Sequence, residues 1–142
     1  MELIFASAGE QAQAIRDKQI SSEELVRACI KRIEEVNPKL HAVVQLPAES
    51  ALEQAREADK ALAKGEIRGP LHGVPFTLKD AIETEGVIST GGTLGRASYV
   101  PKEDAPGSAQ ALHDSGVIFG HVGGAAQGPP RADHSLGFDG VL

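Results

Sequence analysis

Residues 74–80 read Val74-Pro75-Phe76-Thr77-Leu78-Lys79-Asp80, an apolar run that ends on two opposite charges. The stretch ahead of it, Gly69-Pro70-Leu71-His72-Gly73, is rich in turn residues, so the run reads as a buried strand entered through a turn. Pro75 has no amide hydrogen to give a sheet and must sit at the strand's first position, at an edge or at a bulge. Further along, Asp104 is placed to cap a helix and Pro106 to sit in its first turn. Ala109, Ala111 and Leu112 follow, and Ser115-Gly116 closes it. Val117-Ile118-Phe119 then reads as a second buried strand. Strand, helix, strand in this order predicts a right-handed parallel crossover and places the chain in the α/β class.

Upstream the pattern is helical. Ser7 precedes Glu10 by three residues and Ser21 precedes Glu24 by three, the spacing of two reciprocal helix caps. After the second cap, Leu25, Val26, Cys29, Ile30, Ile33 and Val36 recur on one helical face, and Asn37-Pro38 is the expected stop. Ala42 to Leu46 reads as a short strand. Ala48 to Lys64 reads as an Ala-rich helix with Ala51, Leu52, Ala55, Ala58 and Leu62 on its inner face and Gly65 closing it. This half is scaffold.

A chain of 142 residues supports one core, and 41% hydrophobic with 24% charged residues is the composition of a globular protein. The net charge of −6 is spread along helices with no concentrated basic patch, which excludes a nucleic-acid surface. No apolar run is long enough to span a bilayer, and the start lacks a basic segment ahead of its apolar residues, so the expectation is a cytoplasmic protein without a membrane partner. Cys29 is the one cysteine and reads as a small core residue rather than a nucleophile.

Lys79 is the candidate for chemistry. Burial disfavours a charged amine, and a lysine that acts as a base at neutral pH needs its pKa lowered by about three units, or about 4 kcal/mol. The competing reading is that Lys79 and Asp80 mark where the strand meets water. His72, His113, His121 and His134 lie far apart, lack metal-ligand spacing and read as surface residues. Gly91 to Gly95 lacks the pattern of a phosphate loop.

The stretch from Gly69 to Asp80 resembles the GPLHGIPxxVKD segment of the amidase-signature family. Ser89-Thr90-Gly91-Gly92-Thr93 resembles that family's TTAGS-like loop, and Asp104-Ala105 through Gly120 resembles its DAxxVxxLRxAGAVILGKT segment. The helix start at Ser21, the Asn37-Pro38 pair and Leu40-His41-Ala42 also fit in order, so the likeness extends from about residue 7 to residue 120. It implies an α/β fold in which N-terminal helices are followed by the start of a mixed sheet with flanking helices. It also implies a Ser, cis-Ser, Lys triad acting on a small-molecule amide through an acyl-enzyme, with no cofactor and no metal. Lys79 is then the general base. Asp80, Ser89, Thr90, Gly91, Gly92 and Thr93 support or line its pocket.

The sequence departs from that family after Gly120, where His121-Val122-Gly123 replaces a lysine, threonine and asparagine. Residues 1–120 are therefore expected to form the N-terminal part of an amidase-signature domain, and 121–142 a divergent, disordered tail that marks a truncation. Neither serine of the triad is identifiable. Ser135 beside His134 is rejected as a nucleophile because sequence neighbours do not face each other on a strand and no Gly-Ser context surrounds it. The expectation is a chain that is inactive alone for lack of a nucleophile. A non-catalytic protein that self-associates or pairs with a full-length relative through an open sheet edge is the alternative, and an unrelated enzyme using Lys79 with His72 or Asp80 is a third reading.

Overall fold

The computed structural model describes residues 3–115 and 117–123. After a 3-10 turn at Leu3–Phe5, the elements are α1 (Ala8–Arg16), α2 (Ser22–Leu40), β1 (Val43–Gln45), α3 (Ala48–Ala63), β2 (Phe76–Lys79), α4 (Pro106–Ser115) and β3 (Ile118–Val122). A 3-10 turn at Leu94–Arg96 lies between β2 and α4.

Both reciprocal caps form as the spacing predicts. Ser7 and Ser21 accept the amides of Glu10 and Glu24, whose carboxylates bond back to the serine amides. Asp59 of α3 adds what the sequence did not announce: its two oxygens accept the Ser22 and Glu23 amides at 2.8 and 3.0 Å, tying α3 to the first turn of α2. At its other end α2 runs through Pro38 to Leu40, past the stop expected at Asn37-Pro38, and ends where His41 turns left-handed at φ 50°. Proline in a last turn forfeits one amide bond without ending the helix there. The Asn37 side chain instead fixes the exit, donating to the Val43 carbonyl and accepting the Val43 amide, each at 2.9 Å. Gly65 at φ 81° closes α3: its own amide bonds to Leu62 and that of Glu66 to Ala61.

The helical faces pack as two clusters. Val26 and Ile30 meet Ala51, Ala55 and Val117, while Leu25 joins Ala12, Ile15 and Val74. Cys29 lies against both, and burial pushes its thiol pKa up, as a core residue requires. The small alanines let α3 lie close to α2 and to β3. Among the described residues no helix is long and apolar enough to cross a membrane.

The sheet is mixed, with strand order β1-β3-β2. Central β3 runs antiparallel to β1, with Val43 opposite Val122, and parallel to β2, with Leu78 opposite His121 and Lys79 opposite Val122. The parallel β2–α4–β3 unit is the one that the strand, helix, strand pattern predicts. Strand β3 continues through His121 and Val122, beyond Gly120 where the sequence periodicity fades. Asp104 does not cap α4; its carboxylate accepts the Glu85 amide at 2.8 Å, and Ala105 accepts the Ala109 amide that opens the helix.

The turn into β2 touches α4 through a residue that must be small. A Cβ on Gly69 would stand 2.7 Å from the Asp114 backbone, closer than any real contact. Gly69→Ala is therefore expected to destabilise the fold by about 1–3 kcal/mol, read as a lower urea midpoint with an unchanged slope. A wild-type midpoint would mean that α4 does not rest on this turn.

Candidate active site

The turn from Gly69 to Gly73 is pinned before β2 begins. Arg16 donates to the Pro70 carbonyl at 2.8 Å, and Ser22 donates to the Gly73 carbonyl, where φ of 78° suits glycine. His72 is fully buried, contrary to the surface position expected of it. Its Nδ1 accepts the Arg68 amide at 3.2 Å and its Nε2 meets the Ala58 carbonyl at 2.9 Å. An amide can only donate and a carbonyl only accept, so the ring is neutral with its hydrogen on Nε2. Both nitrogens are committed to backbone, which removes His72 as a partner for Lys79.

Pro75 stands just ahead of β2, which is at the edge of the sheet among the described residues, where its missing amide hydrogen costs nothing. Exposure then alternates: Thr77 and Lys79 are exposed, Leu78 and Asp80 buried. Lys79 thus lies on the open face at the carboxyl end of a parallel strand. Asp80 does not mark a meeting with water; it is 1% exposed.

The Ser89–Thr93 loop is built on Asp80. Ser89, fully buried, donates through Oγ to the Asp80 carbonyl at 2.6 Å. The Thr90 amide reaches Oδ1 at 3.1 Å and its hydroxyl reaches Oδ2 at 2.6 Å, with the Gly92 amide also on Oδ2 at 3.3 Å. Gly91 and Gly92 are left-handed, at φ 57° and 75°, a conformation that turns successive amides toward one anion. The Thr93 hydroxyl closes the loop on the Thr90 carbonyl at 3.0 Å. Burial pushes the Asp80 carboxyl up, but the Thr90 hydroxyl and the amides of Thr90, Gly92 and Gly91 more than offset this and hold it below its usual range. At the far side of the loop, Arg96 pairs with Glu83 and lies 4.3 Å from the Tyr99 ring centre.

His121 is the residue that the sequence reading undervalues. It too is expected at the surface, yet it is fully buried, and neither ring nitrogen has a hydrogen-bond partner among the described residues. The available signal is its place inside the apolar stretch from Val117 to Val122. Among the described histidines, His113 is exposed; His134 and Ser135 lie outside the described residues. Among the described residues, no group of three or more His, Cys, Asp or Glu side chains is arranged to hold a metal ion.

Together these elements define an α/β protein that presents an amine at a strand end beside an immobilised carboxylate. The chain belongs to the amidase family, whose model, described as Amidase, matches residues 24–122. It is 47% identical over 119 residues to the A-type subunit of the glutamyl-tRNA(Gln) amidotransferase of Moorella thermoacetica, covering 84% of this chain and 24% of that protein. Identity to the corresponding protein of Carboxydothermus hydrogenoformans is 40% over 119 residues, with the same coverage. The native peptide amidase of Stenotrophomonas maltophilia superposes with a TM-score of 0.77 at 28% identity, covering 85% of this chain and 25% of that one. The chain spans about a quarter of the length of the curated relatives it matches.

Because the Asp80 carboxyl sits below its ordinary 3.8 in the fold, unfolding takes up a proton as the pH falls. Its contribution to stability is present above that value and lost as pH drops through the folded one. Asp80→Asn is expected to cost about 2 kcal/mol at neutral pH, with the difference from wild type shrinking in urea titrations below about pH 4. A difference that stays constant with pH would contradict the anchored carboxylate.

Proposed function

We propose that Lys79 is the general base of an amide-hydrolysing site of the Ser, cis-Ser, Lys kind, and that the 142-residue chain does not turn over amides by itself. The observation that carries this reading is the exposed lysine at the end of β2, directly followed by an aspartate locked into the Ser89–Thr93 loop, within the segment matched to the family. In this chemistry the Lys79 amine takes the proton of the bridging serine, which takes that of the nucleophile as it attacks the carboxamide carbon; the proton then returns along the same relay to the amide nitrogen, the C–N bond breaks and the amine or ammonia leaves an acyl-enzyme. Water then releases the acyl group. Asp80 and the residues from Ser89 to Thr93 fix the strand end so that the amine is held in place.

The Lys79 side chain makes no hydrogen bond or ion pair with a described residue, and its face of the sheet is open to water. A neutral amine requires a dry surrounding, so the site needs further protein surface laid over that face, together with the two serines. The substrate class is a small-molecule carboxamide, which agrees with relatives named as a peptide amidase and as part of an amidotransferase. The location proposed is the cytoplasm.

The direct test is a chimera in which residues 24–122 replace the corresponding segment of the peptide amidase. It is expected to hydrolyse amides, and Lys79→Ala in that context to lower kcat by about 10³-fold or more, within the range of general-base contributions. Equal rates with and without Lys79 would overturn the assignment. The unfused chain should show no hydrolysis; a rate abolished by Lys79→Ala would refute its inactivity.

A second reading, association through a sheet edge, is favoured by the strand order, since β1 and β2 each pair on one side with β3 among the described residues. Size-exclusion chromatography of the purified chain is expected to show a concentration-dependent oligomer. A monomer at all concentrations would remove that reading.

A further inference from the structure

Outside the residues assigned above, one group has no settled chemistry: the buried imidazole of His121. A neutral ring has one donor and one acceptor, and here neither is used by a described residue. The ring lies on central β3 opposite Leu78, two positions before Asp80, whose amide bonds to the Val122 carbonyl at 2.9 Å. Among the described residues its surroundings offer little else that is charged. Strand β1 brings no titratable side chain, and Lys79 of β2 is on the open face. On α3, which packs on β3, Glu49, Glu53, Arg56, Glu57 and Lys60 lie toward solvent and Asp59 is engaged with the amides of Ser22 and Glu23. The Ser89–Thr93 loop carries no charge of its own.

We propose that His121 is an acid-sensitive latch, which on taking up a proton draws the Asp80 carboxylate from Thr90 and Gly92 and frees the Ser89–Thr93 loop. The proton comes from solvent and adds to the unprotonated ring nitrogen, leaving an imidazolium with two N–H donors and no acceptor. A charge in this dry position requires an anion. Asp80 is the group whose charge reaches the ring, and its carboxylate is already shared among Thr90 and Gly92 donors. Any movement of that carboxylate toward the imidazolium weakens the bonds that hold the loop.

The direction of the pH dependence follows from burial. Burial pushes His121 below its ordinary 6.5, and the Asp80 charge offsets part of this. The neutral ring therefore stabilises the fold above that value, and this stabilisation is lost as pH falls through and below it. The latch stands whether or not Lys79 is a catalytic base.

Amide hydrogen exchange on the full chain, corrected for the intrinsic pH dependence, tests it together with an NMR titration of the histidine rings. Protection at Thr90 and Gly92 is expected to fall about tenfold, the effect of one pKa unit, between about pH 7 and about pH 5. The midpoint should coincide with that of His121 rather than with that of exposed His113. In His121→Asn the fall should vanish. Protection that does not change with pH in the wild-type chain, a midpoint that tracks another group, or a fall retained in the variant would each overturn the latch.

Discussion

The end of β2 is organised by a single buried carboxylate. Asp80 sits where the parallel strand leaves the sheet, and the Thr90 hydroxyl and the amides of Thr90 and Gly92 converge on it. A buried anion of this kind is tolerable only when its oxygens are met by donors, so the loop and the carboxylate require each other. Lys79, one residue earlier and on the opposite face, inherits the fixed backbone. The loop contacts fix that strand end from the far side of the sheet.

The helices serve the same end of the molecule. Asp59 caps α2 from α3, Ser22 and Arg16 hold the turn into β2, and His72 fastens that turn to the carbonyl of Ala58. Each bond joins elements far apart in sequence, so β2 enters the sheet in one register. Gly69, with no side chain, lets α4 approach the same turn. Thr77 and Lys79 lie exposed on the other face of the sheet, and this chain spans about a quarter of its relatives' length.

Much of this was legible in the amino-acid order because the signals were local. The serine–glutamate caps and the Gly65 stop depend on residues within a turn of one another, and the apolar face of α2 and each piece of the strand, helix, strand pattern are read within a single element. What was not legible depended on distance. Asp59 looks like any exposed acid on an amphipathic helix until α2 is placed beside it. Asp104 has the right spacing to cap α4, but the Glu85 amide competes for it. Pro38 resembles a stop because a helix usually ends before proline, and the Asn37 bonds to Val43 show the exit to be elsewhere. Isolated histidines usually occupy the surface; for His72 and His121, burial comes from the elements packed around them. Within the candidate site, the resemblance named Lys79 and the Ser89–Thr93 stretch, but the convergence of that loop on Asp80 could not be read from spacing.

The measurement that bears most directly on this account is a carbon-detected NMR titration of the Asp80 carboxyl in the full chain. A carboxylate held by the Thr90 hydroxyl and the loop amides should titrate below the ordinary 3.8, with the Thr90 and Gly92 amide shifts following the same midpoint. A midpoint at or above 3.8, or loop amides indifferent to it, would mean that the loop is not built on Asp80 and that the strand end bearing Lys79 is held in some other way.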